Sequence, residues 1–158
     1  MLRDLKHAQQ TSRRARATTK WRLYESPNGN VPKDLVKMFA GIHTPQVPSP
    51  PRPALTAAEL GQLQATLGFI DRHGARKLLS VTAVTGEATP TTEKVKGARG
   101  PLIELKIKSA ANNPRLLLVN CNDVAVFLAA FKKKTNKLPR AEIDRADDRY
   151  LTMKDDCR

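Results

Sequence analysis

The sequence predicts an α+β domain, and three observations carry that prediction. One strictly alternating stretch and two apolar stretches crowd the last third of the chain: "LIELKIK", "RLLLVN" and "VAVFLAAF". The joints between them, "AANNP" and "CND", are short and built of turn residues, so the strands form an antiparallel meander. Helix-start signals with apolar residues on one face lie on either side of that meander. At 158 residues the chain makes one domain, and its hydrophobic fraction of 40% suffices for a modest core.

We divide it into a basic flexible N-terminal arm over residues 1–19 and a folded domain over 20–158, with a proline-rich connector at 44–54 and a polar loop at 85–100. Between Met1 and Arg22 stand Arg3, Lys6, Arg13, Arg14, Arg16, Lys20 and Arg22 against one acid, Asp4. With few bulky apolar residues, such a segment does not repay its ordering entropy by burial. It reads either as an arm lying on RNA or DNA phosphates, through residues such as Arg13 and Arg14, or as a solubilising tail.

"KWRLYES" (Lys20–Ser26) alternates and suits a first strand, with the turn residues "PNGN" after it. "VPKDLVKMFAGI" predicts a short helix with Pro32 at its first position, Leu35, Val36 and Phe39 on one face, and Gly41 at its stop. Thr44 to Ala54 holds five prolines and is a stiff, extended connector. In "TAAELGQLQATLGFIDRHG", Thr56-x-x-Glu59 is a capping box, Leu60, Leu63, Leu67 and Ile70 share a face, and Gly74 ends the helix. "RKLLSVTAV" fits a strand or a helical turn, and "TGEATPTTEKVKGARGP" reads as a polar loop.

In "LIELKIK", Ile103, Leu105 and Ile107 face one side, and Glu104, Lys106 and Lys108 the other. "VAVFLAAF" is so uniformly apolar that it must be central and covered on both faces. Pro139 starts the closing helix, with Ala141, Ile143, Ala146 and Tyr150 available for packing. Asp144, Asp147 and Asp148 are expected on its solvated face.

Charge narrows the partners. Lys+Arg 28 against Asp+Glu 15 gives +13 and a pI near 10.2, which points to a polyanion. Aromatic content of 4% supplies few platforms for stacking unpaired bases. Cys121 and Cys157 have no metal spacing and read as reduced thiols. No apolar run reaches the roughly 18 residues of a membrane span, and Met1 to Lys20 lacks the apolar centre of a signal peptide. A cytoplasmic chain without membrane contact is expected.

From "PLIELKI" through "PRLLLV" to "FKKKTNKLPRAEIDRADDR", the sequence resembles the HigB-like branch of the RelE/ParE toxin superfamily. Members typically show Leu-Trp-Glu-Leu-Arg-Ile, then Arg-Val-Leu-Tyr, then Phe-x-Lys-Lys-Thr-x-Lys-x-Pro with Glu-Ile and Ala-x-x-Arg following. Phe131, Lys133, Lys134, Thr135, Lys137, Pro139, Glu142, Ile143, Ala146 and Arg149 match the last motif. The resemblance implies a RelE-like fold and a type II toxin, neutralised by a cognate helix-turn-helix antitoxin, that cleaves mRNA in the ribosomal A site. Two positions depart from the pattern. Lys106 replaces the first motif's arginine and loses its planar fork, with Ile103 for the tryptophan; Val119, after Leu118, stands for the tyrosine of the second.

Metal-free RNA cleavage needs a base for the ribose 2′-OH, cations for the phosphorane and an acid for the leaving 5′-oxygen. His7, His43 and His73 fall outside the motifs, and no acidic or histidine cluster has metal spacing, so neither metal nor cofactor is expected. The catalytic candidates are Lys106, Arg115, Lys133, Lys134, Lys137 and Tyr150. Crowded ammonium groups lose protons more readily, which recruits the lysines as acid or base, while Arg115 clamps the phosphorane. Lys108, Lys132, Arg140 and Arg149 join Arg13 and Arg14 as RNA-binding candidates. Structural readings compete: a lysine run is often only solvated surface, Lys106 fits a pair with Glu104 or a cross-strand neighbour, Arg115 fits a turn cap, and Tyr150 fits helix packing. The leading reading is a ribosome-dependent mRNA endonuclease toxin. Its rivals are a toxin-fold module that binds gyrase in the manner of ParE, and a basic nucleic-acid-binding protein.

Overall fold

The computed structural model describes residues 19–79, 89–109 and 112–157. Expectations for Arg13, Arg14 and the rest of residues 1–18, and for 80–88, lie outside the described residues. Five strands build one mixed sheet: β1 (Trp21–Leu23), β2 (Thr91–Lys94), β3 (Ile103–Lys106), β4 (Pro114–Cys121) and β5 (Val124–Lys132), in spatial order β1-β5-β4-β3-β2. β3 to β5 are the expected antiparallel meander, which β2 extends by one further antiparallel strand, while β1 joins parallel to β5, with Leu23 opposite Phe127. The class is therefore α+β and compatible with a RelE-like fold.

β4 and β5 are the inner strands because their sequences tolerate no water. Leu116 to Val119 and Ala125 to Ala130 are buried without a break, so side chains on both faces are covered. Each large side chain in this run contributes about 1.5–3 kcal/mol relative to exposure. Their hairpin turns through Asn122 and Asp123, with φ of 52° and 70°. Two successive left-handed residues match the right-handed twist of the strands, and Asn and Asp tolerate that region better than most residues. The register slips between Leu117 and Leu118, which pair with Ala129 and Phe127 and leave Leu128 as the extra residue of a bulge.

Among the described residues, three helices cover the sheet: α1 (Lys33–Met38), α2 (Ala57–His73) and α3 (Arg140–Met153). Short 3-10 turns follow α2 (Ala75–Leu79) and α3 (Lys154–Asp156). The capping box at α2 forms as expected, with Glu59 N–H donating to Thr56 Oγ1 at 3.2 Å and Thr56 N–H donating to Glu59 Oε1 at 2.9 Å. Pro32 and Pro139 stand just before the first helical residues of α1 and α3. The aromatic rings of Trp21, Phe39 and Phe127 pack at 5.0 to 6.4 Å between centroids, joining β1, the end of α1 and β5.

Two expectations are corrected. The stretch read as a polar loop over 85–100 contains β2, whose "TTEK" carries no apolar alternation and becomes a strand only because β3 offers it an edge. Cys121 and Cys157 are joined as a disulfide, not two free thiols. The sequence gives no hint, because 36 residues separate them and only the packing of α3 returns residue 157 to the end of β4. By chain entropy, a loop of that length is worth about 3–4 kcal/mol.

Gly74 ends α2 at φ +84° and ψ 162°, a region open essentially to glycine, and a Cβ there would land on the Asp123 carboxylate. That carboxylate already accepts the Arg76 N–H at 3.0 Å, and the Asp123 carbonyl accepts the Ala75 N–H at 3.0 Å. Gly74→Ala should therefore lower stability in urea unfolding by about 2–4 kcal/mol, summing backbone strain and overpacking.

Candidate active site

Strand register assembles four charged side chains on one face of the sheet. Glu93 on β2 lies opposite Glu104 on β3, and Lys106 on β3 lies opposite Arg115 on β4. Directly opposed like charges destabilise a sheet. The conflict is resolved diagonally: Lys106 Nζ donates to Glu93 Oε2 at 2.8 Å, and Arg115 Nε faces Glu104 Oε2 at 3.2 Å. The second contact is an ion pair without hydrogen-bond alignment. Arg115 is anchored further by Nη1, which donates to the Pro114 carbonyl at 2.9 Å.

The two pairs differ in their access to water. Arg115 and Glu104 are 14% and 8% exposed, whereas Lys106 and Glu93 are 32% and 57% exposed. The buried pair stiffens the sheet; the outer pair meets solvent and any ligand. The Lys106 hydrogen bond, then its charge, then Lys96 and Lys133 hold the Glu93 carboxyl below its ordinary range. Lys133 thus belongs to the same electrostatic neighbourhood, fixed there by its backbone N–H bonding to the Asn113 carbonyl at 2.9 Å.

The other candidates spread more widely. Lys132 is exposed at the end of β5, opposite Pro114. Lys134 and Lys137 are exposed on the connection to α3, where the Thr135 hydroxyl donates to the Lys137 carbonyl. Lys108 is exposed, and its backbone N–H and C=O both bond the Gln62 side chain, at 2.8 and 2.6 Å. Arg140 donates to the Gly97 carbonyl and pairs with Asp144. Tyr150 is partly buried with its ring against Gly100. Arg149 donates to Asp34 at 2.9 Å and to the Leu128 carbonyl freed by the bulge at 2.7 Å, and stands 5.8 Å from the centre of the Tyr24 ring. The register thus gathers Lys106, Arg115 and Lys133, while Tyr150 and Arg149 are engaged in holding α3 to the sheet and its loops. A hollow of about 390 Å³ beside Arg76, Lys94 and Ile103 is lined by none of the candidates.

A family model described as Phage derived protein Gp49-like (DUF891) matches residues 73–151, half of the chain. The chain belongs to this family. Gp49-like proteins are a RelE/HigB-like toxin family, and the matched span runs from the end of α2 through β2 to β5 and nearly all of α3. It contains every charged residue placed at or around the candidate site except Asp34. No curated protein matches the chain.

Among Gp49-like features, the sequence alone leaves the acidic half of the site unseen. Glu93 lies in a segment with no strand signature; of the two readings of Lys106, a pair with Glu104 or with a cross-strand neighbour, the fold takes the second and gives Glu104 to Arg115. A cue was present in the cross-strand arithmetic, since a β2 antiparallel to "IELK" sets one acid diagonal to one cation. Asp147 is a further correction: instead of facing solvent, it is fully buried. Among the described residues, no helix is long and apolar enough to cross a membrane.

Removing one member of the buried pair should cost far more than removing one of the exposed pair. Arg115→Ala strands Glu104 and is expected to lose about 3–5 kcal/mol in chemical denaturation. Glu104→Leu with Arg115→Met should recover most of that loss, and Lys106→Ala should change stability far less. Glu142, in the first turn of α3, contacts Arg145 at 3.1 Å by Oε1 and buries Oε2 without a partner. Burial is the main cause that raises its carboxyl above the ordinary value, against the opposing charge of Arg145. The native state therefore binds its proton more tightly than the unfolded chain, so ionisation weakens the fold as pH rises through the native value. Glu142→Gln should raise the melting temperature at pH 7 relative to the parent, with the advantage shrinking toward pH 4.

Proposed function

We propose that this Gp49-like chain is the toxin of a type II toxin–antitoxin system and cleaves mRNA on the ribosome without a metal. The observation that carries the reading is the solvent-facing Glu93–Lys106 pair at 2.8 Å with the Lys133 charge beside it. An ionised carboxylate and two ammonium groups on one rigid face supply the three roles of the reaction.

In this mechanism Glu93 accepts the proton of a ribose 2′-OH, and the 2′-oxygen attacks the adjacent phosphorus. Lys106 and Lys133 neutralise the phosphorane. The P–O5′ bond breaks, the leaving 5′-oxygen takes a proton from the Lys133 ammonium, and the products are a 2′,3′-cyclic phosphate and a 5′-hydroxyl. Glu93 then returns its proton to solvent and Lys133 takes one back from it, so both groups are reset for the next cleavage. Arg115 contributes indirectly, because Glu104 offsets its charge and the pair holds β3 and β4 in register. A net charge of +13 favours a ribosome or RNA surface, with Lys108, Lys132, Lys134, Lys137 and Arg140 as backbone contacts. The cognate antitoxin, a helix-turn-helix protein, would present acidic residues to the same cations.

Induced expression in a bacterial host, followed by mapping of mRNA 5′ ends, tests this directly. New 5′-hydroxyl ends within translated codons and arrested growth are expected, both abolished by Glu93→Gln and weakened about 100-fold or more by Lys133→Ala with Lys134→Ala. Intact transcripts with continuing translation would remove the nuclease reading. Inhibited supercoiling by the pure protein would replace it with a gyrase-binding one.

A further inference from the structure

The turn joining β2 to β3 is held from outside its own hairpin. Val95 N–H bonds the Leu102 carbonyl at 3.1 Å and closes a turn over residues 96–101. Four side chains of α3 then reach this turn, one of them Asp148, whose Oδ1 accepts from the Arg99 guanidinium at 2.6 Å. Arg140 Nη1 donates to the Gly97 carbonyl at 2.7 Å, where Gly97 sits at φ +79°. Asp147 accepts the Arg99 N–H on Oδ2 at 2.7 Å and the Gly100 N–H on Oδ1 at 2.9 Å. The Tyr150 ring packs so tightly on Gly100 that a Cβ there would come within 2.7 Å of it. Asp147 is 0% exposed, and a carboxylate is tolerated at that depth only when both oxygens are satisfied. Here they are, with the Arg99 guanidinium 3.6 Å away as counter-charge.

This grip has a job that β2 does not perform for itself. "TTEK" has no apolar face, so no burial opposes a one-residue slip along β3, and its side-chain anchorage is the Thr92 hydroxyl donating to the Leu78 carbonyl. Such a slip would turn Glu93 to the opposite face and leave Lys106 without its partner. In a hairpin, register follows the turn, and a six-residue turn with a glycine at positive φ has little stiffness of its own. Stiffness comes instead from α3.

We infer that Asp147 is a positioning residue: by fixing the two amides of the β2–β3 turn from α3, it sets the register that presents Glu93 to Lys106. Arg140 is its weaker accessory on the Gly97 carbonyl. The catalytic consequence rests on the nuclease reading above, whereas the geometric one does not.

The Asp147→Asn side chain keeps the shape but offers one acceptor oxygen for two N–H donors and no charge for Arg99. Two measurements on the full chain read the result: NMR titration of the Glu93 side-chain carboxyl, and the pH profile of mRNA cleavage on ribosomes. Glu93 is surrounded by Lys106 on β3, Lys96 in the turn and Lys133 after β5, which together lower its pKa. In folded Asp147→Asn its midpoint should rise towards that of an ordinary glutamate, the acid limb of kcat should move up in pH with it, and kcat should fall about 10- to 100-fold with KM little changed. A folded Asp147→Asn whose Glu93 titrates as in the parent would overturn the inference. Should that variant not fold, Arg140→Ala, which removes the exposed contacts to the Gly97 carbonyl and Asp144, is expected to raise the Glu93 midpoint by a smaller step; no movement there would equally overturn it. A parent that cuts no RNA, with the Glu93 shift present in the variant, would sink the nuclease reading and leave the positioning role standing.

Discussion

The arrangement of the site depends on strand register. Because β2, β3 and β4 run antiparallel with Glu93 opposite Glu104 and Lys106 opposite Arg115, like charges are forced into direct opposition. Linking each carboxylate diagonally to a cation offsets that opposition. That linkage sorts the charges by depth. Arg115 and Glu104 consume one another in the interior, while Lys106 and Glu93 satisfy one another at the surface and remain within reach of a ligand.

Such a register needs supports at both ends. On one side it is fixed by apolar burial, since β4 and β5 are covered on both faces and a slip would drag leucines and phenylalanine towards water. The bulge at Leu128 is absorbed rather than wasted, as its carbonyl accepts the Arg149 guanidinium and so ties α3 and Asp34 to β5. On the other side β2 has no apolar stake, and its position is inherited from the turn that α3 holds. The closing helix thus contributes more through the bonds it makes to loops and bulges than through its small apolar face.

In the proposed cleavage, with no histidine among the described residues of the charged face, proton transfer falls to carboxylate and ammonium groups. A carboxylate held ionised by neighbouring lysines is a weak base but always a ready one, and lysines crowded beside it are poised to neutralise a dianionic phosphorane. Placing Glu93 and Lys106 on strands, with Lys133 directly after β5, keeps these groups within the tolerance that the proposed chemistry demands. The disulfide between Cys121 and Cys157 adds stiffness at the far end of β4, away from Lys106 and Arg115.

The sequence by itself determined which segments are strands and helices wherever apolar residues repeat. The alternation of "LIELKIK", the unbroken run from Val124 to Phe131 and the Thr56–Glu59 box each encode structure locally, through burial or capping that any fold would have to honour. It also fixed the family motif and the basic charge. Three things were decided only in the tertiary structure: the β2 strand, the burial of Asp147 and the pairing of Cys121 with Cys157. Each depends on contacts between residues well apart in the chain, from the 9 to 15 positions between β2 and β3 to the 36 between the cysteines and the 48 between Arg99 and Asp147, and no local pattern records the partner. The same holds for the candidate site, since Glu93 and Lys106 become a pair only when a distant helix holds the turn between them.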